Sequence, residues 1–140
     1  MAAIELAPGA GDNGLAVMMA TMMSQNLEDH PERLPTFGRL VGRVAIVAED
    51  ADVALTMELL GGRAVVHDGI VGIPDVTVRG SAELIADLSR METGPLGLPD
   101  PRGEVNRQMV AALRERRLRV FGMPVGLPLL ARLGAVLAID

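Results

Sequence analysis

At 140 residues the chain is the size of a single domain, and its formal charge of −5 opposes nucleic acid, which needs a basic footprint. The absence of cysteine excludes disulfides, thiol chemistry and thiolate metal sites, and suits a reducing, cytoplasmic compartment. Hydrophobic residues make up 49%, yet Phe37 and Phe121 are the only aromatic ones, so the core must come from aliphatic side chains and nine Met.

Residues 1–11 contain Ala, Pro and Gly and read as a flexible end, which leaves 12–140 as one domain. Asp12 or Asn13 can cap a helix by accepting a free backbone N–H of its first turn. That helix runs from about Gly14 to Asp29. It carries Leu15, Met18, Met19, Met22 and Met23 at helical spacing, and Pro31 stops it. Pro35 and Gly38 keep the next stretch short, and Leu34, Phe37, Leu40 and Val41 suit a small amphipathic helix there.

Four strands are expected next: Gly42 to Ala48, Val53 to Leu60, Arg63 to His67 and Asp75 to Arg79. In the second, Val53, Leu55, Met57 and Leu59 alternate with Ala54, Thr56 and Glu58. A period of two sends one set to each face, so one face of the sheet is apolar and the other wet. The turns Glu49 to Asp52 and Gly61-Gly62 are of hairpin length, which makes the first three strands antiparallel.

Ser81 can cap a helix whose buried stripe is Leu84, Ile85, Leu88 and Met91. Thr93 to Gly103 holds three Pro and three Gly and reads as a loop. A helix from about Glu104 to Arg116 shows Val105, Met109, Ala112 and Leu113 on one side, and a strand from Arg117 to Phe121 follows. The last segment, Leu127 to Ile139, is apolar round most of its circumference, with Arg132 its one charge, and must find partners on more than one side. No run of about 20 apolar residues exists to span a bilayer, and no basic-then-apolar leader opens the chain.

Groups that could do chemistry are sparse. His30 and His67 are the only histidines, and neither belongs to a metal-ligand spacing. Ser24, Ser81 and Ser89 lie in no nucleophile-elbow pattern, and the glycines join strand to strand instead of opening a helix at a phosphate. Glu49, Asp50 and Asp52 read as a solvated turn, and the cluster Arg114, Arg116, Arg117 and Arg119 as a solvated helix end. Asp75, between Pro74 and a strand, is the most interesting lone carboxylate, and its ordinary role is to accept turn N–H groups. The expectation is a non-catalytic protein with no metal and no cofactor.

The order of these parts resembles the sterol carrier protein 2 (sterol-binding) domain family. The resemblance rests on Asp29-His30-Pro31-Glu32-Arg33, the strand Val44 to Ala48, the alternation from Val53 to Leu59, Gly62, Gly69, and Pro74-Asp75-Val76-Thr77-Val78 before Ser81. Arg117 to Gly122 resembles the family's last strand and its glycine, and Leu127 to Ala138 its C-terminal helix. The chain departs from the family pattern at Gly61 and in the length of Thr93 to Gly103, and no peroxisomal tripeptide follows Ile139, which points to a bacterial cytosolic member.

The resemblance implies an α+β fold: a five-stranded mixed, mainly antiparallel sheet, helices covering one face, and an apolar tunnel between the layers for fatty acyl, sterol-like or isoprenoid lipid. The expected lining is Met18, Met22, Met57, Val78, Leu84, Leu88, Met109, Leu113, Leu130 and Leu133. Met is unbranched and polarizable, so such a lining can deform around its guest. The alternative is a structural or accessory module in which the apolar helix faces meet a second copy or a lipid- or quinone-biosynthesis enzyme. Transient contact with a membrane surface draws on the same C-terminal segment.

Overall fold

The computed structural model describes residues 3–87, 104–122, 125–126, 128–129, 132–133 and 136. Six strands are present: β1 (Ala3–Leu6), β2 (Val41–Ala48), β3 (Val53–Leu60), β4 (Arg63–Asp68), β5 (Val76–Gly80) and β6 (Arg119–Phe121). They form one mixed sheet of order β1-β4-β3-β2-β5-β6. The hairpins β2–β3 and β3–β4 are antiparallel, as their short turns require, and β5–β6 is antiparallel too. β5 runs parallel to β2, and β1 parallel to β4.

The expected count of five strands is corrected by β1, which lies in the segment read as a flexible end. Ile4 packs on the core, Glu5 meets Arg63 at 3.0 Å, and the Ala7 N–H donates to the Val66 carbonyl at 2.9 Å. Four residues are too few to show a period, so the order here comes from β4, some 60 residues along the chain. β6 is shorter than expected. Arg116 takes a left-handed conformation (φ 59°), and the Arg117 and Leu118 N–H groups both donate to the Ala112 carbonyl, so the chain is still turning where a strand was foreseen.

The described α-helices are α1 (Gly14–Asp29), α2 (Leu34–Gly38), α3 (Ala82–Asp87) and α4 (Glu104–Arg114), with short 3-10 turns at Ala10–Asp12 and Pro31–Arg33. α1 packs on β1, β3 and β4, and α3 packs on β2 and β5 and touches α4. Met19, Met23 and Leu27 of α1 and Phe37 of α2 thereby close over Val44, Ile46, Leu55, Met57, Leu59 and Val66. Burying that apolar face is the dominant favourable term, at roughly 1.5–3 kcal/mol per large side chain. The expected loop from Thr93 to Gly103 lies outside the described residues.

The start of α1 is tied down by one side chain. Asn13 accepts the Ala16 N–H at 3.1 Å as the helix cap, and its amide donates to the Ala54 carbonyl and to Asp68 Oδ1, both at 2.8 Å. One residue thus joins the helix to β3 and to the end of β4. Further on, Ser81 Oγ accepts the Leu84 N–H at 3.2 Å and Asp50 Oδ1 accepts the Ala82 N–H at 2.8 Å, so α3 is capped as the sequence suggests.

The second face of the sheet is less wet than alternation implies. β5 lies beyond β2, so the chain leaving β4 must cross two strands to reach it. It does so over the polar face. The Thr56 hydroxyl, fully buried, donates to the Gly69 carbonyl at 2.8 Å and accepts the Val71 N–H at 3.0 Å. The backbone at Gly72 lies against the Arg43 guanidinium, which bonds Glu58 at 3.1 Å. His67 Nε2 stands 3.5 Å from the other Glu58 oxygen and is buried without a hydrogen-bond partner among the described residues. This crossover positions Pro74 and Asp75 at the end of the sheet where β2 begins.

Two outcomes follow from these contacts. Asn13→Ala removes a cap and takes the amide donor from Asp68 and from the Ala54 carbonyl, which keeps the Gly69 N–H at 2.9 Å. It lowers stability by about 2 kcal/mol, read as a shift in the urea midpoint at constant slope. The hydrogen bond from Arg43, aided by His67, holds the Glu58 carboxyl below its ordinary value of 4.5. A carboxyl lowered on folding contributes stability that is present above 4.5 and disappears as pH falls through the folded value. The stability gap between the native chain and Glu58→Gln should therefore close on acidification below the ordinary carboxylate range. A gap that persists there would contradict the ionic origin.

Candidate functional site

Three chain-distant segments meet where β2 starts, β5 is entered and β6 is left. Val41 opens β2 and Pro74-Asp75 leads into β5. Gly122 follows β6, and Val125, Gly126 and the helical residue Leu129 lie beyond it. Between them is an open cleft of about 580 Å³ lined by Val41, Pro74, Asp75, Gly122, Val125, Gly126 and Leu129. Its volume falls in the range of about 300–1,000 Å³ typical of small-molecule sites.

Backbone hydrogen bonds fix the floor of this cleft. The Arg43 N–H donates to Asp75 Oδ2 at 2.9 Å, and the Asp75 N–H donates to the Arg43 carbonyl at 2.8 Å. Asp75 is thus the turn acceptor foreseen for it, and it also faces the cleft. Gly42, beside Arg43, has φ 140°, and a Cβ there would stand 2.8 Å from Asp75 Oδ2 and 2.9 Å from Leu129 Cδ2. Gly122 has φ 95°, and a Cβ there would collide with the Asp75 carbonyl. Both positions need glycine for conformation and for space. The Gly126 N–H donates to the Gly122 carbonyl at 2.7 Å, which turns the chain back toward the sheet.

Two lining side chains and two beside them in sequence or across the strand pair are exposed. Val125 is 91% exposed, Ile73 86% and Val41 68%, and Leu60, the cross-strand partner of Val41, is exposed as well. Leu133 and Val136, later in the chain, are buried in the core, and Leu129 packs against it. Leu129 therefore belongs both to the cleft lining and to the edge of the core.

Of the ten side chains expected to line a tunnel, Met57, Val78 and Leu133 are buried in the core, and Met22 and Leu84 pack against it. These five belong to one contiguous cluster. Met18 and Leu113 are exposed, at 42% and 45%, on the outer sides of α1 and α4. Met109 lies in α4, while Leu88 and Leu130 fall outside the described residues. None of the seven whose side chains are described lines the cleft. Periodicity identifies faces, whereas the cleft is assembled from strand ends and turns, where no period operates. The available signals were Asp75 as a lone carboxylate and Gly122 as a glycine after a strand.

Among the described residues no group of three or more His, Cys, Asp or Glu could hold a metal ion. No described helix is long and apolar enough to cross a membrane.

No family model and no curated protein matches the chain. Among solved structures it is similar to "UbiJ-SCP2 Ubiquinone synthesis protein", with a TM-score of 0.63 and 16% identity over 88% of this chain and 92% of that one. The chain has a sterol carrier protein 2 fold. It is also similar to the crystal structure of sterol carrier protein 2, with a TM-score of 0.49 and 14% identity over 88% and 96% of the two chains. A third similar structure is a conserved hypothetical protein from Thermus thermophilus, described as possibly a sterol carrier protein, with a TM-score of 0.43 and 14% identity over 85% of each chain. The sterol carrier protein 2 fold accounts for the α+β architecture, in which helices cover one face of a mixed sheet.

Gly122→Ala tests the knot beneath the cleft. It forces a Cβ into the Asp75 carbonyl at a positive φ and is expected to cost about 3 kcal/mol, seen as a lower melting temperature. A substitution at Gly11, where a Cβ would meet nothing within 4 Å, is the matched control.

Proposed function

We propose that the chain binds an apolar ligand at the cleft between Val41, Pro74-Asp75 and Leu129, without catalysing its conversion. The observation that carries this reading is the cleft itself: a concavity rimmed by uncovered aliphatic side chains, joined through Leu129 to a Met-rich core. The ligand's tail would pass inward between sheet and helices along Met22, Met57, Val78, Leu84 and Leu133, in the tunnel that the sterol carrier protein 2 resemblance implies. Each buried methylene contributes about 0.8 kcal/mol, so a tail of about ten carbons yields roughly 8 kcal/mol before ordering costs. Micromolar affinity requires about that much net. The similar structure is named a ubiquinone synthesis protein, which makes isoprenoid tails the first class to try.

A second reading rests on the same uncovered rim. Val41, Leu60, Ile73 and Val125 could meet a second copy or a partner enzyme in lipid or quinone synthesis, making the chain an accessory module. Light scattering separates the two readings, because a stable dimer that takes up no apolar probe favours assembly.

Nile red, a neutral apolar dye, tests the ligand reading directly. Its fluorescence should rise on mixing with the full chain and fall as an isoprenoid alcohol is added. Val125→Asp places a charge on an exposed lining residue without disturbing the core, and should weaken uptake at least about tenfold. No dye uptake at tens of micromolar chain would end this reading.

A further inference from the structure

The structure assigns the cleft a preference for neutral ligands that end in a hydrogen-bond donor, such as an alcohol or a phenol, over ligands that end in a carboxylate or phosphate. This inference rests on the cleft being the ligand site and adds the chemistry of the head group.

Among the described lining residues Asp75 is the one ionisable side chain, and no cation lines the cleft. Two guanidiniums stand two residues from Val41. Arg39 is exposed and not part of the described lining. The Arg43 guanidinium is turned onto the second face of the sheet, where it bonds Glu58 at 3.1 Å and lies against Gly72. Three backbone donors at the floor are engaged. The Arg43 N–H is taken by Asp75 Oδ2, the Asp75 N–H by the Arg43 carbonyl, and the Gly126 N–H by the Gly122 carbonyl. Pro74 has no N–H to offer. What the cleft retains is acceptor capacity, since an ionised carboxylate has about four lone-pair sites and Oδ2 uses one for Arg43.

A hydroxyl entering this cleft meets an acceptor. A carboxylate or phosphate meets a like charge, and the engaged N–H groups of Arg43, Asp75 and Gly126 offer it no bond. Repulsion between two unit charges a few ångströms apart at a protein surface is enough for a preference of about tenfold or more. The Val41, Val125 and Leu129 side chains do not discriminate between head groups, so selectivity falls on Asp75.

Decanol and decanoate carry the same tail and differ in the head group. Each is titrated against Nile red bound to the full chain at mildly alkaline pH, where the acid is ionised. Decanol should displace the dye at a concentration at least about tenfold lower than decanoate. Asp75→Asn keeps an oxygen for the Arg43 N–H and removes the charge, so it should narrow that ratio to about threefold or less. Equal displacement by the two ligands on the native chain would overturn the inference while leaving the cleft a ligand site. A ratio unchanged in Asp75→Asn would also overturn it, because the preference would then reflect only the greater water solubility of decanoate. If neither compound displaces bound dye, the ligand reading of the cleft fails, and this inference fails with it.

Discussion

The reciprocal hydrogen bonds between Arg43 and Asp75 hold together everything that could make this chain a binding protein. Strands β2 and β5 are neighbours in the sheet, yet β3 and β4 lie between them along the chain. The Arg43 N–H on Asp75 Oδ2 and the Asp75 N–H on the Arg43 carbonyl set where the crossover lands. Once they are set, Gly42 and Gly122 must be glycine, because their Cβ positions are filled by Asp75. The cleft is the space left where these backbones meet and Leu129 leans over them.

The crossover itself explains a feature that alternation misses. A sheet with one face against helices would normally leave the other to water. Here the path from β4 to β5 runs across that face and needs polar anchors along the way. Thr56 supplies both a donor and an acceptor for the crossing chain, and the Arg43–Glu58 pair lies beneath Gly72. These polar residues on the second face thus serve the connection that delivers Asp75 to the cleft.

The cleft combines one carboxylate with an aliphatic rim among its described residues. The described concavity offers one carboxylate whose bonds hold the backbone in place. The likeness to a ubiquinone synthesis protein is one of fold, at 16% identity, and the head-group chemistry argued for this chain comes from its own residues.

Much of the fold was legible in local pattern. Helix α1 runs from Gly14 to Asp29 and β3 from Val53 to Leu60, as spacing and alternation indicate, and Asn13, one of two candidates, is the cap. These features are decided within a few residues, by caps, prolines and the period of apolar side chains. The order of the six strands, the pairing of β1 with β4 and the roofing of Thr56 were not legible, because each depends on a partner many residues away. The cleft belongs to the second group. Asp75 could be singled out from its neighbours, but that it shares a cavity with Val41, Gly122 and Leu129 followed only when the parallel pairing of β2 with β5 brought four strand and helix ends to one place.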